Sequence, residues 1–146
     1  MDIFTAMEVS ASGLAAERTR MNIASSNLAN VQTTKDAAGG PYKRRDVLVT
    51  SEGLPAQLVP GGSAGGFAEA VRAVKVGGVV EDANPPRLEY DPDHPDANAD
   101  GYVAYPNINV VEEMVDMITA SRAYEAGVTA LDGAVTMAER ALSIGR

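Results

Sequence analysis

The stretch Asp96-Ala97-Asn98-Ala99-Asp100-Gly101 sets oxygen-bearing side chains at positions one, three and five, with glycine at six, the opening half of a calcium-binding loop. Its second half fails the pattern. Position twelve is Asn107, which cannot supply the bidentate carboxylate such a loop requires, and Pro106 with its Pro-rich approach bars an entering helix. A turn-rich loop with solvated acids is the better reading. His94 is the single histidine, so neither a histidine metal cluster nor a Ser-His-Asp relay can draw on more than one imidazole. Glu112 and Asp116 stand four apart and could pair as acid and base, but acids near a helix start are what the helix dipole favours anyway. The Pro60-Gly61-Gly62-Ser63-Ala64-Gly65-Gly66 loop lacks the lysine and following helix of a phosphate-binding loop and reads as a flexible spacer. With no cysteine, thiolate sites and disulfides are excluded. The expectation is a protein that is not an enzyme and uses no cofactor and no metal.

Composition points the same way. The formal net charge of -8 repels phosphate backbones, and the one basic cluster, Lys43-Arg44-Arg45, is too short to offset it. Nucleic acid is not an expected partner, and nothing suggests a small-molecule substrate. Apolar residues make up 45% of the 146-residue chain but aromatics only 5%, so Ala, Val, Leu and Met supply the surface to be buried, a composition suited to helix packing. The first residues carry neither the basic nor the apolar region of a cleaved secretory signal, and no run approaches a membrane span.

What must position these residues is helix, irregular middle, helix. Every proline lies between Pro41 and Pro106, and helix-breaking punctuation is confined to the middle. Three segments are expected: residues 1–34 and 107–146 as helices of an axial core, and 35–106 as a small β-rich domain between them. In the last segment Val110, Met114, Met117, Ser121, Tyr124, Val128, Leu131, Val135, Ala138 and Leu142 recur in alternating steps of four and three, with Glu113, Arg122, Glu125 and Asp132 off the stripe. Asn109 is a good N-cap, with Glu112 three residues on as in a capping box. A helix from Val110 to Leu142 would run about 50 Å at ~1.5 Å per residue. In the first segment Met7, Leu14, Met21 and Leu28 keep seven-residue spacing, with Phe4 and Ala11 as companions, although Ser10, Ser12 and Gly13 weaken the helix. Strands are expected at 46–50, 70–76, 79–80, 87–90 and 102–105, with Gly77-Gly78 as a tight hairpin turn. The fold class is therefore α+β, two long terminal helices paired as a coiled coil around a small central β-rich domain.

A single apolar stripe cannot stay in water, so each helix must cover its own against the other or against a neighbouring subunit. The expected assembly interface is Phe4, Met7, Leu14, Met21, Leu28, Val110, Met114, Met117, Tyr124, Val128, Leu131, Val135 and Leu142. Asn27 and Asn30 join it as residues that either hydrogen-bond between packed helices or finish a helix end.

Two strings carry a resemblance. Ser10-Ala11-Ser12-Gly13-Leu14-Ala15-Ala16-Glu17-Arg18, continuing through Met21-Asn22-Ile23-Ala24-Ser25-Ser26-Asn27-Leu28-Ala29-Asn30 to Thr33-Thr34, resembles the N-terminal signature of flagellar axial proteins. Asn109-Val110-Val111-Glu112-Glu113-Met114-Val115-Asp116-Met117-Ile118, then Ala120-Ser121-Arg122-Ala123-Tyr124-Glu125-Ala126, is similar to the matching C-terminal signature. Gly39-Gly40-Pro41-Tyr42-Lys43-Arg44, Asp91-Pro92-Asp93-His94-Pro95-Asp96 and Gly101-Tyr102-Val103-Ala104-Tyr105-Pro106-Asn107 narrow the resemblance to the proximal-rod members. Gly127, where the family usually has Asn, departs from it, as does Ala134-Val135, where a Lys is more usual. The resemblance implies a structural subunit of the rod that crosses the periplasm within the flagellar basal body. It implies export through the flagellar type III apparatus, and as partners other copies of the chain, the rod proteins FlgB, FlgF and FlgG, FliE, and the MS-ring protein FliF.

Overall fold

The structure is a computed structural model that describes residues 3–37, 39–53 and 71–144. The elements run α1 (Ile3–Ala29), β1 (Arg45–Gly53), β2 (Arg72–Glu81), β3 (Arg87–Tyr90), β4 (Tyr102–Tyr105) and α2 (Val110–Ile144). The strands form two separate two-stranded sheets, β1 with β2 and β3 with β4. This is the expected α+β class, two long terminal helices with short strands between them. The glycine-rich loop at 60–66 lies outside the described residues.

Gly77-Gly78 is not the expected turn. Both glycines lie inside β2, and the strands expected at 70–76 and 79–80 are one continuous ladder. The flanking β-branched residues Val74, Val76, Val79 and Val80 carry the strand through the pair, and a Cβ on Gly77 would stand 3.5 Å from the Leu48 carbonyl oxygen and 3.6 Å from the Thr50 methyl, an ordinary contact with β1.

The chain divides into two compact units. The first holds the start of α1 to Thr19, residues 48–78, and α2 from Thr119 onward. Here the serines that lower helix propensity are tied down. Ser10 Oγ donates to the Ala6 carbonyl (2.9 Å), and Ser12 Oγ donates to the Val9 carbonyl (2.7 Å). Ser12 Oγ also accepts the Val74 backbone N–H at 3.0 Å, which anchors β2 on α1. Away from that bond, Leu14 meets α2 at Gly127, where an added Cβ would stand 2.8 Å from Leu14 Cδ2. The departure at Gly127 is thus a point where α2 comes close to α1. Ala16 and Ala120, in the same unit, are both buried.

The second unit holds residues 20–47 and 79–118. Its β3–β4 ribbon is antiparallel, with Arg87 opposite Tyr105, Leu88 opposite Ala104, Glu89 opposite Val103 and Tyr90 opposite Tyr102. Val103 is fully buried and, with the buried Tyr42 and Ala24, supplies the apolar interior of this unit. Within α2 the start follows expectation. Asn109 Oδ1 accepts the Val111 N–H at 3.1 Å, an N-cap, and the helix is acidic in its first turn.

Candidate assembly surface and its polar anchor

Glu113 does not stand in water off the apolar stripe, as its spacing predicts; it is 2% exposed and sits at the centre of a polar cluster in the second unit. Asn27, 1% exposed, uses every hydrogen-bonding position its amide has. Nδ2 donates to the Arg45 carbonyl (2.8 Å) and to Glu113 Oε2 (2.9 Å). Oδ1 accepts the Arg45 N–H (3.0 Å) and the Tyr42 hydroxyl (3.0 Å). Glu113 Oε1 takes Arg44 Nε at 2.6 Å, and Arg44 also faces Asp46 (3.5 Å) and Asp116 (3.9 Å). Burial works against the Arg44 cation, but hydrogen bonding and attraction from Glu113 outweigh it and raise its pKa above the ordinary arginine value.

The cluster joins α1, the segment entering β1, and the first turns of α2 through one amide and one carboxylate. Among the described residues no buried side-chain oxygen or nitrogen lacks a partner. Such a cluster tolerates one alignment of its members, since a shift of either helix would strand several buried polar groups at once. The Arg44 carbonyl also accepts the Asp82 N–H at 2.8 Å. Hydrogen bonds from the Asn84 backbone and then its side chain hold the Asp82 carboxyl below its usual range. Asn30 takes the other reading offered for it: Nδ2 donates to the Ser26 carbonyl (2.8 Å) and Oδ1 accepts the Thr33 hydroxyl (3.1 Å), both at the end of α1.

The stripe residues divide by exposure. On α1, Met7, Leu14, Met21 and Leu28 are half-buried and Phe4 is exposed. On α2, Met117, Tyr124, Leu131 and Val135 are half-buried, whereas Val110, Met114, Val128 and Leu142 are exposed. The covered row of α2 within this chain runs Glu113, Met117, Ala120, Tyr124, Gly127, Leu131, Ala134 and Ala138, with Ser121 and Val135 half-buried beside it, so Val110, Met114, Val128 and Leu142 are the stripe residues it leaves out. Spacing and hydropathy favour the large apolar companions, Met114 and Val128. The folded chain covers the small ones, Ala120 and Gly127, and leaves the large ones outside. With Val111 at 68% and Ile118 at 52% exposure beside Met114, the first turns of α2 carry an apolar face directed away from the polar cluster.

The loop that resembles half of a calcium site is committed elsewhere. Asp96 accepts the Thr34 hydroxyl at 2.8 Å and faces Lys35, while Asn98 Oδ1 accepts the N–H groups of Asp100 and Tyr102 at 2.9 Å. His94 Nδ1 accepts the Asp96 N–H at 3.1 Å. Asp96 and Asn98 thus secure a loop instead of converging on an ion. Among the described residues no helix is long and apolar enough to cross a membrane.

Residues 7–35 match the family described as "Flagella basal body rod protein", and residues 99–144 match "Flagellar basal body rod FlgEFG protein C-terminal". The chain is 41% identical to the flagellar basal-body rod protein FlgC of Bacillus subtilis over the whole of both chains. Identity is 40% to FlgC of Borreliella burgdorferi, over 99% of this chain and 98% of that one, and 35% to FlgC of Salmonella typhimurium over the whole of both. The buried Asn27, Tyr42 and Glu113, and Arg44 that pairs with Glu113, all lie within the strings that carry the resemblance. With end-to-end identity above a third, the chain belongs to the FlgC family of flagellar basal-body rod proteins.

Proposed function

We propose that this chain is a structural building block of the proximal rod, stacking with its neighbours around the rod axis and carrying torque from the MS ring towards the distal rod and hook. The carrying observation is the uncovered apolar face at the start of α2, Val111, Met114 and Ile118, on a helix whose opposite side is already closed by the Asn27–Glu113 cluster. A helix with both sides apolar or satisfied, and one of them wet, fits a part that is completed by another chain. The polar cluster keeps that face in a fixed orientation. Asn27 has no bonding position left and both Glu113 oxygens are engaged, so the cluster suits holding and not turnover. The partners of this reading are further copies of the chain, FlgB, FlgF, FlgG, FliE and FliF, with passage through the flagellar type III export apparatus and a final place in the periplasm-spanning rod.

The test is Met114→Asp combined with Ile118→Asp. Both side chains are exposed, so the isolated chain should keep its helical circular dichroism, yet two desolvated charges would cost several kcal/mol at an interface. The expected outcome is an exported chain missing from purified basal bodies in non-motile cells. Normal incorporation and swimming would overturn the reading.

A further inference from the structure

The β3–β4 ribbon shows two unlike faces. Alternate strand residues point to opposite sides, so the pairs Leu88–Ala104 and Tyr90–Tyr102 share one face, while Val103 belongs to the other and is buried. On the first face Leu88 is 63%, Tyr90 65% and Tyr102 42% exposed. The two tyrosine rings pack edge to face with centroids 5.3 Å apart.

This aromatic pair is already ordered by the loop beneath it. Gly101 has φ +80°, and a Cβ there would stand 2.9 Å from the Tyr90 ring, so the ring lies directly against bare backbone. Asn98 Oδ1 pins the Asp100 and Tyr102 N–H groups, and the Asp91 N–H donates to the Gly101 carbonyl at 3.0 Å. Rigid, wet tyrosines with little entropy left to lose are what tight protein interfaces bury at their centres.

The loop at the tyrosine end of the ribbon is acidic. Asp91, Asp93 and Asp100 lie in it, and among the described residues none of their carboxylates forms an ion pair. Asp96 and Glu89, by contrast, face Lys35 and Arg87.

We propose that the Leu88–Tyr90–Tyr102 face is a docking surface for a different protein chain, one that presents an apolar patch bordered by Lys or Arg. The inference rests on the rod-subunit reading and adds the kind of neighbour this face meets. Charge selects the occupant. A second copy would bring a net charge of -8 to a loop whose three aspartates form no ion pair among the described residues, whereas a basic border is attracted to them and stacks its cations on the rings.

The test replaces Leu88 with the photo-crosslinker p-benzoylphenylalanine in the full chain in motile cells, with the same replacement of Met114 as a second probe. Basal bodies are irradiated and the joined peptides identified by mass spectrometry. The expected product at 88 is a Lys- or Arg-rich peptide of another protein, its yield falling at least tenfold when Asp91, Asp93 and Asp100 are all changed to Lys. A product with a second copy, with an acidic or neutral peptide, or no product at 88 while 114 reacts, overturns the docking proposal and leaves the rod reading standing. Absence of the chain from basal bodies overturns both.

Discussion

Asn27 could be a helix-end residue by its position, two residues before α1 stops, yet every bonding position of its amide is taken. Removing it by Asn27→Ala takes a partner from both Arg45 backbone groups and one Glu113 oxygen, and leaves the Tyr42 hydroxyl only its 3.4 Å contact with Ser26 Oγ. Unsatisfied buried groups cost about 1 to 3 kcal/mol each but relax together, so a loss of about 3 kcal/mol is expected in urea unfolding. Asn27→Asp is expected to be worse at neutral pH, because a second carboxylate would replace the amide nitrogen 2.9 Å from Glu113 Oε2. Protonating either carboxyl relieves that repulsion, so the penalty is expected to be largest at neutral pH and to shrink on acidification. Unfolding of both variants between pH 7 and pH 5 checks this. An Asn27→Asp chain as stable at pH 7 as the Asn27→Ala chain, or one not recovering on acidification, would refute the geometry. In the sequence Asn27 stands as a choice between two roles, because an asparagine near a helix end caps as readily as it bridges. The bridging role depends on residues 15 to 86 positions away, which no local pattern displays.

Between elements, the same contrast of large and small residues decides how α1 meets α2 in the first unit. Glycine at 127 costs helix propensity relative to alanine by about 1 kcal/mol, yet a Cβ there would stand 2.8 Å from Leu14 Cδ2 and 3.4 Å from its Cγ. Gly127→Ala therefore trades a gain in the helix against overpacking at the crossing, and its net effect is expected to lie near zero. In a Leu14→Ala background the obstruction is gone, so the same change should stabilise by the full ~1 kcal/mol. A double-mutant cycle by urea unfolding measures the difference; equal effects in the two backgrounds would mean that the helices do not touch there. The period of α2 is legible in the sequence and its covered row only in part. Met117, Tyr124, Leu131 and Ala138 fall on the stripe by spacing, but Ala120, Gly127 and Ala134 do not, because periodicity weighs hydrophobicity, whereas close packing selects for small volume. Gly77-Gly78 misleads for a different reason. Paired glycines permit a turn without requiring one, and the flanking β-branched residues Val74, Val76, Val79 and Val80 carry β2 straight through them.

For the molecule taken whole, the buried apolar side chains among the described residues include Ala16, Ala24, Tyr42, Val103, Pro106 and Ala120, half of them alanines, while Met137, Leu142 and Ile144 near the end of α2 are at least two-thirds exposed. At ~25 cal/mol per Å² of apolar surface removed from water, alanines contribute little, and the last turns of α2 gain almost nothing from their own chain. Those turns must open locally at small cost in a free molecule and close when neighbours cover them, since anything that binds only the folded state stabilises it. Arg140 and Arg122 report on the two cases, being exposed residues of one helix that a protease can cut only after local opening. Arg122 lies two residues after Ala120, which is 1% exposed, and Arg140 lies among residues 139–144, all exposed. Limited trypsin digestion of the purified chain should therefore cut first after Arg140 and more slowly after Arg122. In intact basal bodies both cuts should slow at least tenfold, with the larger change at Arg140. Equal rates at Arg140 in the free and assembled forms would mean that the end of α2 is never covered, and the apolar residues of its last turns would then have no part in joining one subunit to the next.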